Sequence, residues 1–366
     1  MIPPGNAQGL LLMNLGTPDA PTTAAVRRYL REFLSDPRVI DIHPLARWLL
    51  LNFVILVFRP RKSAMAYRKI WDERGSPLLL HSLEFTRQIG LELEGEFEVE
   101  FGMRYGHPSL KDALERLRAK KVQSITLMPL YPQYAASSTA SSLESAYRLI
   151  GQGWDVPPVR VVPPFFNQLS FLDALATSSA PVIRQSRADH VLFSFHGLPE
   201  RQIRKSDQIG NHCLASPQCC DQIGAANANC YRAQAHYTAR EVAKRLGIAA
   251  EGFSISFQSR LGRTPWIRPY TDLLVPELAR RGVRRLAVLC PAFVADCLET
   301  LEEIGIRARE SFLAAGGEEL ILVPCLNAHP AWVRAAADLV RSKAVGLSNQ
   351  DRFGRAMVSV SSRAKA

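Results

Sequence analysis

Three groups of residues in this chain have types and spacings that could do chemistry. The first is His196, which ends the apolar run Val191-Leu192-Phe193-Ser194-Phe195 and is followed by Gly197-Leu198-Pro199. A glycine with a proline two residues later stops a strand or helix from simply running on, so the imidazole is held at a strand end. There it could accept a proton near neutral pH or bind a metal through a neutral ring nitrogen; a hydrogen-bonded structural histidine is the plain alternative. The second group is Asp296, Glu299 and Glu303, spaced by three and then four residues, which places side chains on one face of a helix. Asp296 and Glu299 could be only a helix cap and its capping-box partner, but that account leaves Glu303 unexplained. Three stacked carboxylates opposite a histidine could deliver a hard divalent cation or relay protons. The third group is Cys213, Cys219, Cys220 and Cys230, four of the chain's seven cysteines in one short stretch. Their C-x5-C-C-x9-C spacing fits none of the usual zinc-finger patterns. Four thiolates in one segment suit a [2Fe-2S] cluster, and an ordinary loop of reduced thiols is the remaining reading.

The elements that must position these groups alternate. Short apolar runs at Gly9 to Leu15, Glu98 to Tyr105, Ser124 to Met128 and Val159 to Val162 read as strands, as do Val191 to Phe195, Gly252 to Ser256, Arg285 to Leu289 and Glu319 to Val323. Helical patterns separate them, including one from Asp296 to Ala314. Such alternation implies right-handed βαβ crossovers and parallel sheets, and the theme restarts after Pro163-Pro164. We therefore expect an α/β fold of two Rossmann-like domains, residues 1–170 and 171–366, each a parallel sheet flanked by helices. Ligands of open α/β sheets bind at the carboxyl ends of the strands, which is where His196 falls. No glycine-rich phosphate fingerprint and no G-x-S-x-G elbow follows any strand, so nucleotide binding and serine hydrolysis lose their usual support. The segment Phe257 to Asp272 interleaves Trp266 and Tyr270 with Arg260, Arg263 and Arg268, an aromatic wall with anion-binding edges. No recognised nucleic-acid module accompanies it, so nucleic acid is not an expected partner.

With 366 residues, 47% hydrophobic and 22% charged, the chain is long enough for two buried cores. Its net charge of +11 admits anionic small molecules and anionic lipid surfaces. The N-terminus lacks a basic region and a small-residue cleavage site, which points to a cytoplasmic protein. The most apolar run, Trp48 to Phe58, is far short of the roughly 20 residues that span a bilayer. It is either a buried core helix or an exposed lip. Arg47, Arg59, Arg61 and Lys62 around it favour the lip, in peripheral contact with anionic headgroups or with ligand carboxylates.

LLMNLGTPDAP, YGHPSL, LYPQY, SFHGLPER, FQSRLGRTPW and CPAFVADCLETLEEIG, in this order between residue 10 and about 330, resemble ferrochelatase of the bacterial type. The resemblance implies two Rossmann-like domains around a deep porphyrin cleft, with the last helix packing back on the first domain. It also implies insertion of ferrous iron into protoporphyrin IX to give protoheme. On that likeness His196 binds metal or takes pyrrole protons, Glu299 is a metal-binding glutamate, and Asp296 and Glu303 form an acidic path behind it. Tyr67, Ser76, Arg59, Arg61, Trp266 and Phe293 correspond to porphyrin-contacting positions, and the stretch around residues 45–62 to a hydrophobic lip over the cleft. Some members carry a [2Fe-2S] cluster on internal cysteines, which would make Cys213, Cys219, Cys220 and Cys230 its ligands in a structural or regulatory role. Leu15 and Cys297 depart from the family pattern, so no ligand role is carried to them. Insertion of another metal, use of coproporphyrin III, or a haem or metal carrier without turnover are the competing readings.

Overall fold

The computed structural model describes residues 8–262 and 264–342. Arg263 and the Ser- and Arg-rich tail beyond Lys343 lie outside these described residues.

Eight strands form where the apolar runs lie: β1 Gln8–Gly16, β2 Phe97–Tyr105, β3 Ser124–Pro129, β4 Val159–Val161, β5 His190–His196, β6 Phe253–Gln258, β7 Arg285–Leu289 and β8 Glu319–Leu322. They make two four-stranded sheets, ordered β2-β1-β3-β4 and β6-β5-β7-β8, with every pairing parallel. The central strands read as nearly unbroken apolar runs because helices cover both faces of each sheet. Leu10, Leu11, Leu12 and Met13 of β1, and Leu192, Phe193 and Phe195 of β5, are fully buried.

The two orders are the same, so each sheet has its topological switch at its first strand, where the chain leaves first to one side and then to the other. The crevice of such a sheet opens at the carboxyl end of that strand. In the first half that end is Gly16-Thr17; in the second it is His196. One apolar cluster joins the halves. The indole of Trp332, on helix Pro330–Arg341, stacks on Phe85 with ring centroids 5.6 Å apart and also meets Phe165 and Phe171. Arg341, at the end of that helix, pairs with Glu92 and Glu96 of the first half.

The Trp48 to Phe58 run becomes part of an interrupted helix: Pro44–Leu49, a π-helical stretch Leu50–Ile55, then Leu56–Ile70. It is neither wholly core nor wholly lip. Leu51, Leu56, Pro60, Ala64 and Tyr67 are buried, packing with Val26, Tyr29, Leu30 and Leu34 of helix Thr23–Ser35. The other face leaves Trp48, Phe53, Val54, Val57 and Phe58 open, Phe58 to 73%. Among the described residues no helix is long and apolar enough to cross a membrane.

Candidate active site

His196 ends β5 beside Gln258, its partner at the end of β6. Its Nδ1 lies 2.6 Å from the carbonyl oxygen of Gly197. A carbonyl only accepts, so Nδ1 carries the proton and the Nε2 lone pair is left free for a proton or a metal. The ring is walled by Phe293 at 6.3 Å and Trp266 at 6.5 Å between centroids. Trp266 is held in turn, with Nε1 donating to the Leu261 carbonyl at 2.9 Å. The loop carrying it is stitched to the segment after His196, Ile267 N–H donating to Leu198 O and Glu200 N–H to Pro265 O, both at 3.0 Å.

In the first half, the end of β1 leads to Thr17, which donates to Ser76 Oγ at 2.8 Å. Ser76 precedes helix Pro77–Glu92, and Leu78, two residues on, packs with Phe293, Ala295 and Cys297 of the second half. Tyr67 stands edge-on to Trp71. The residues marked in the sequence at 196, 266 and 293 thus stand together, and Leu78, next but one to Ser76, ties the first half to Phe293. Thr17 carried no signal in the sequence beyond its place after a strand.

Glu299 lies in the short helix Leu298–Leu301, which packs on helix Leu56–Ile70. Its carboxylate reaches four neighbours electrostatically. Burial pushes the Tyr67 and Tyr29 hydroxyls far up, and Glu299 adds to the push. Burial pulls the Arg59 guanidinium down while Glu299 supports its charge. Burial raises the Cys297 thiol, and the Glu299 charge raises it further. Of the basic stretch after the lip, Arg59 is therefore turned inward, whereas Arg61 and Lys62 are exposed.

The helix expected from Asp296 does not form as one face, and the three acids do not stack. Cys297, not Asp296, is the cap, in a box with Thr300, and a π-helical stretch Glu303–Ala308 follows the first turn and shifts the register. Asp296 is buried and turned away, accepting from Thr300 Oγ1 at 2.9 Å, Asn327 Nδ2 at 2.8 Å and Cys325 N–H at 3.2 Å. Glu303 accepts from Ser259 N–H at 2.9 Å and from Ser259 Oγ. Glu302, which the spacing passed over, is also buried and pairs with Lys69 of the lip helix at 3.4 Å and with Arg307 at 2.7 Å. Asp41, just before the lip, accepts from Arg201 and Lys205 of the helix that follows His196.

The four clustered cysteines are all buried. Cys219 and Cys220 Sγ are 3.6 Å apart, and burial pushes the Cys213 and Cys219 thiols up. The Arg232 guanidinium stands 3.1 Å from Cys220 Sγ and 3.9 Å from Cys219 Sγ. Among the described residues no group of three or more His, Cys, Asp or Glu side chains is set to hold a single metal ion.

A family model, ferrochelatase, matches residues 7–344. The ferrochelatase of Azotobacter vinelandii is 51% identical over 335 residues, 91% of this chain and 98% of that protein. That of Stutzerimonas stutzeri is 49% identical over 335 residues, 91% and 97% of the two chains. That of Coxiella burnetii is 45% identical over 336 residues, 92% and 94%. Among solved structures, SirB from Bacillus subtilis with Fe3+ superposes with a TM-score of 0.51 at 12% identity, covering 93% of this chain and 96% of that one, a likeness of fold alone. With two parallel four-stranded sheets, a family model that covers nearly the whole chain and relatives that align nearly end to end, the chain belongs to the ferrochelatase family.

Proposed function

We propose that this chain, a porphyrin metal chelatase and hence a lyase of haem biosynthesis, inserts ferrous iron into protoporphyrin IX in the crevice between the ends of β1 and β5. The observation that carries this reading is the His196 ring, pinned through Nδ1 to Gly197 O so that Nε2 is the free base, set between Trp266 and Phe293. Two pyrrole N–H protons must leave before the macrocycle can hold a metal, and a neutral imidazole with one nitrogen occupied by a carbonyl is a suitable acceptor near pH 7 for one proton at a time, releasing the first to solvent before it takes the second. Trp266 and Phe293 offer faces to the flat ligand, and the Tyr67–Thr17–Ser76 hydroxyls offer a polar edge. Arg61 is an exposed partner for a propionate, and Arg59 lies deeper, beside Glu299. Binding energy spent on a bent macrocycle exposes its nitrogens and lowers the barrier. Glu299 receives the iron, its carboxylate oxygens replacing water ligands as the substrate metal is handed over. Asp296 and Glu303, already engaged by protein donors, hold the acidic segment and lend it negative charge, so their part in the path is electrostatic.

The lip is the surface for peripheral contact with an anionic membrane, in keeping with a cytoplasmic protein touching the inner face. Its open Trp48, Phe53 and Phe58 are flanked by exposed Arg61 and Lys62. Cys213, Cys219, Cys220 and Cys230 are the donors that would hold a [2Fe-2S] cluster. What supports this reading is that all four thiols are buried in one segment, with Cys219 and Cys220 in contact and the Arg232 guanidinium, suited to an anionic group, beside those two. Such a group supplies electron-transfer capacity that iron insertion does not use, which makes its role structural or regulatory.

Purified protein given Fe2+ and protoporphyrin IX, and in parallel coproporphyrin III, tests the reading. A haem spectrum with protoporphyrin is expected; turnover with coproporphyrin III alone would reassign the tetrapyrrole, and binding without haem formation would make the chain a carrier.

A further inference from the structure

Gln258 is buried at the end of β6 and bonds to both sides of the crevice machinery. Its backbone carbonyl accepts from Gly197 N–H at 2.8 Å, holding the residue whose own carbonyl orients His196. Its side-chain Nε2 donates to the backbone carbonyl of Glu299 at 2.7 Å. That carbonyl belongs to a helix of one turn, whose last carbonyls have no helical donor of their own and must find one outside. The amide cannot swing away, because Oε1 accepts from Ser194 Oγ at 2.7 Å. Ser194 is in turn 3.0 Å from Thr271 Oγ1, which is 2.7 Å from Ser256 Oγ. The Glu299 carbonyl only accepts, so it fixes which end of the amide is nitrogen, and Ser194 donates to the other end.

From this we infer that Gln258 is a positioning residue for iron insertion: it couples the end of β5, which carries His196, to the turn that carries Glu299, and sets the placement of that carboxylate against the imidazole. The inference rests on the proposed role of Glu299 as the group that receives the metal. The residue immediately after it extends the same tie, since Ser259 binds Glu303 through both N–H and Oγ. The end of β6 and the residue after it therefore hold the acidic segment at two points four residues apart, Glu299 through its main chain and Glu303 through its carboxylate.

The test is a double-mutant cycle on metal kinetics. Gln258→Met keeps the side chain's length and removes both hydrogen bonds. Its kcat/KM for the metal, with Fe2+ and with Zn2+ as probe, should fall about tenfold or more, the scale of a lost hydrogen bond together with a displacement of a fraction of an ångström. The KM for protoporphyrin IX should stay within about twofold. Glu299→Gln sets the second edge, and in the Glu299→Gln background Gln258→Met should cost nothing further. Wild-type metal kinetics for Gln258→Met would overturn the inference. So would a full additional loss in the Glu299→Gln background, which would mean that the glutamine acts through something other than Glu299. If Glu299→Gln alone leaves metal insertion intact, the proposed role of Glu299 fails first and is distinguished by that variant. Should Gln258→Met not fold, Ser194→Ala, which frees Oε1 while leaving the glutamine in place, enters the same cycle with a smaller loss of about threefold expected; additivity there overturns the inference equally.

Discussion

Substituting Gly197 by alanine probes the joint on which the histidine depends. A Cβ at this position would lie 2.7 Å from the carbonyl oxygen of Gln258, 3.2 Å from Cε3 of Trp266 and 3.7 Å from the Cβ of Phe257. The nearest of these is backbone of the neighbouring strand, so no rotamer change relieves it, and the ends of β5 and β6 must part. Overpacking of this kind costs about 1–3 kcal/mol. Parting also weakens the Gly197 N–H to Gln258 O bond, now 2.8 Å, worth about 1 kcal/mol more. A loss of about 2–4 kcal/mol in urea unfolding at pH 7 is therefore expected. Because Gly197 O is the acceptor for His196 Nδ1, the same displacement rotates the imidazole. Iron insertion should fall on the order of 100-fold, the usual consequence of misplacing a reacting group by about an ångström. Stability within about 0.5 kcal/mol of the parent, with unchanged turnover, would refute the packing argument and with it the claim that this glycine fixes the histidine.

Asp36 is nearly buried, and although burial alone would raise its carboxyl, bonds from Ser141, Arg38 N–H and Tyr105, and the Arg104 charge, hold it below the ordinary range. A depressed folded-state value means that its stabilisation is complete above the unfolded value of about 3.9 and is lost as pH falls through the folded one. Asp36→Asn should therefore cost about 3–5 kcal/mol at pH 7. That gap should narrow in urea melts below pH 4; a gap independent of pH would contradict it. On the lip, Phe53→Asp with Phe58→Asp should cut binding to phosphatidylglycerol vesicles by tenfold or more while sparing insertion in detergent, and undiminished vesicle binding would remove the lip as a membrane surface. Protein purified without oxygen should show the charge-transfer bands of a [2Fe-2S] centre that Cys220→Ser abolishes; a parent protein without those bands would leave four reduced thiols.

How much of this was legible in the sequence follows from the range of the forces involved. Strand positions depend on local apolar runs, and all eight expected strands form, β5 reaching its histidine and β6 running on to Gln258. The place of His196 was legible because glycine and proline punctuate the chain locally. The acidic helix was not. A three-then-four spacing predicts one face only if the helix is continuous, and here Cys297 takes the cap, Asp296 is drawn off by Asn327 and Cys325, and a π-helical stretch intervenes. Those partners lie about thirty residues away, beyond any periodicity. Thr17, Asp41, Gln258 and Glu302 stayed hidden for the same reason: each matters through bonds to distant residues, and a single polar residue at a strand end or helix start looks like ordinary punctuation. The lip was ambiguous because the run Trp48 to Phe58 is apolar on both faces, and only helix Thr23–Ser35 decides which face is covered.

The most direct measurement compares anaerobic insertion of Fe2+ into protoporphyrin IX by the parent chain and by His196→Ala, with porphyrin affinity measured on both. If the free Nε2 takes the two pyrrole protons one after the other, passing the first to solvent before accepting the second, the parent converts the porphyrin spectrum to that of haem, and the variant keeps porphyrin binding within a few fold while losing about 100-fold or more in turnover. Turnover by His196→Ala at the parent rate would contradict the account at its centre.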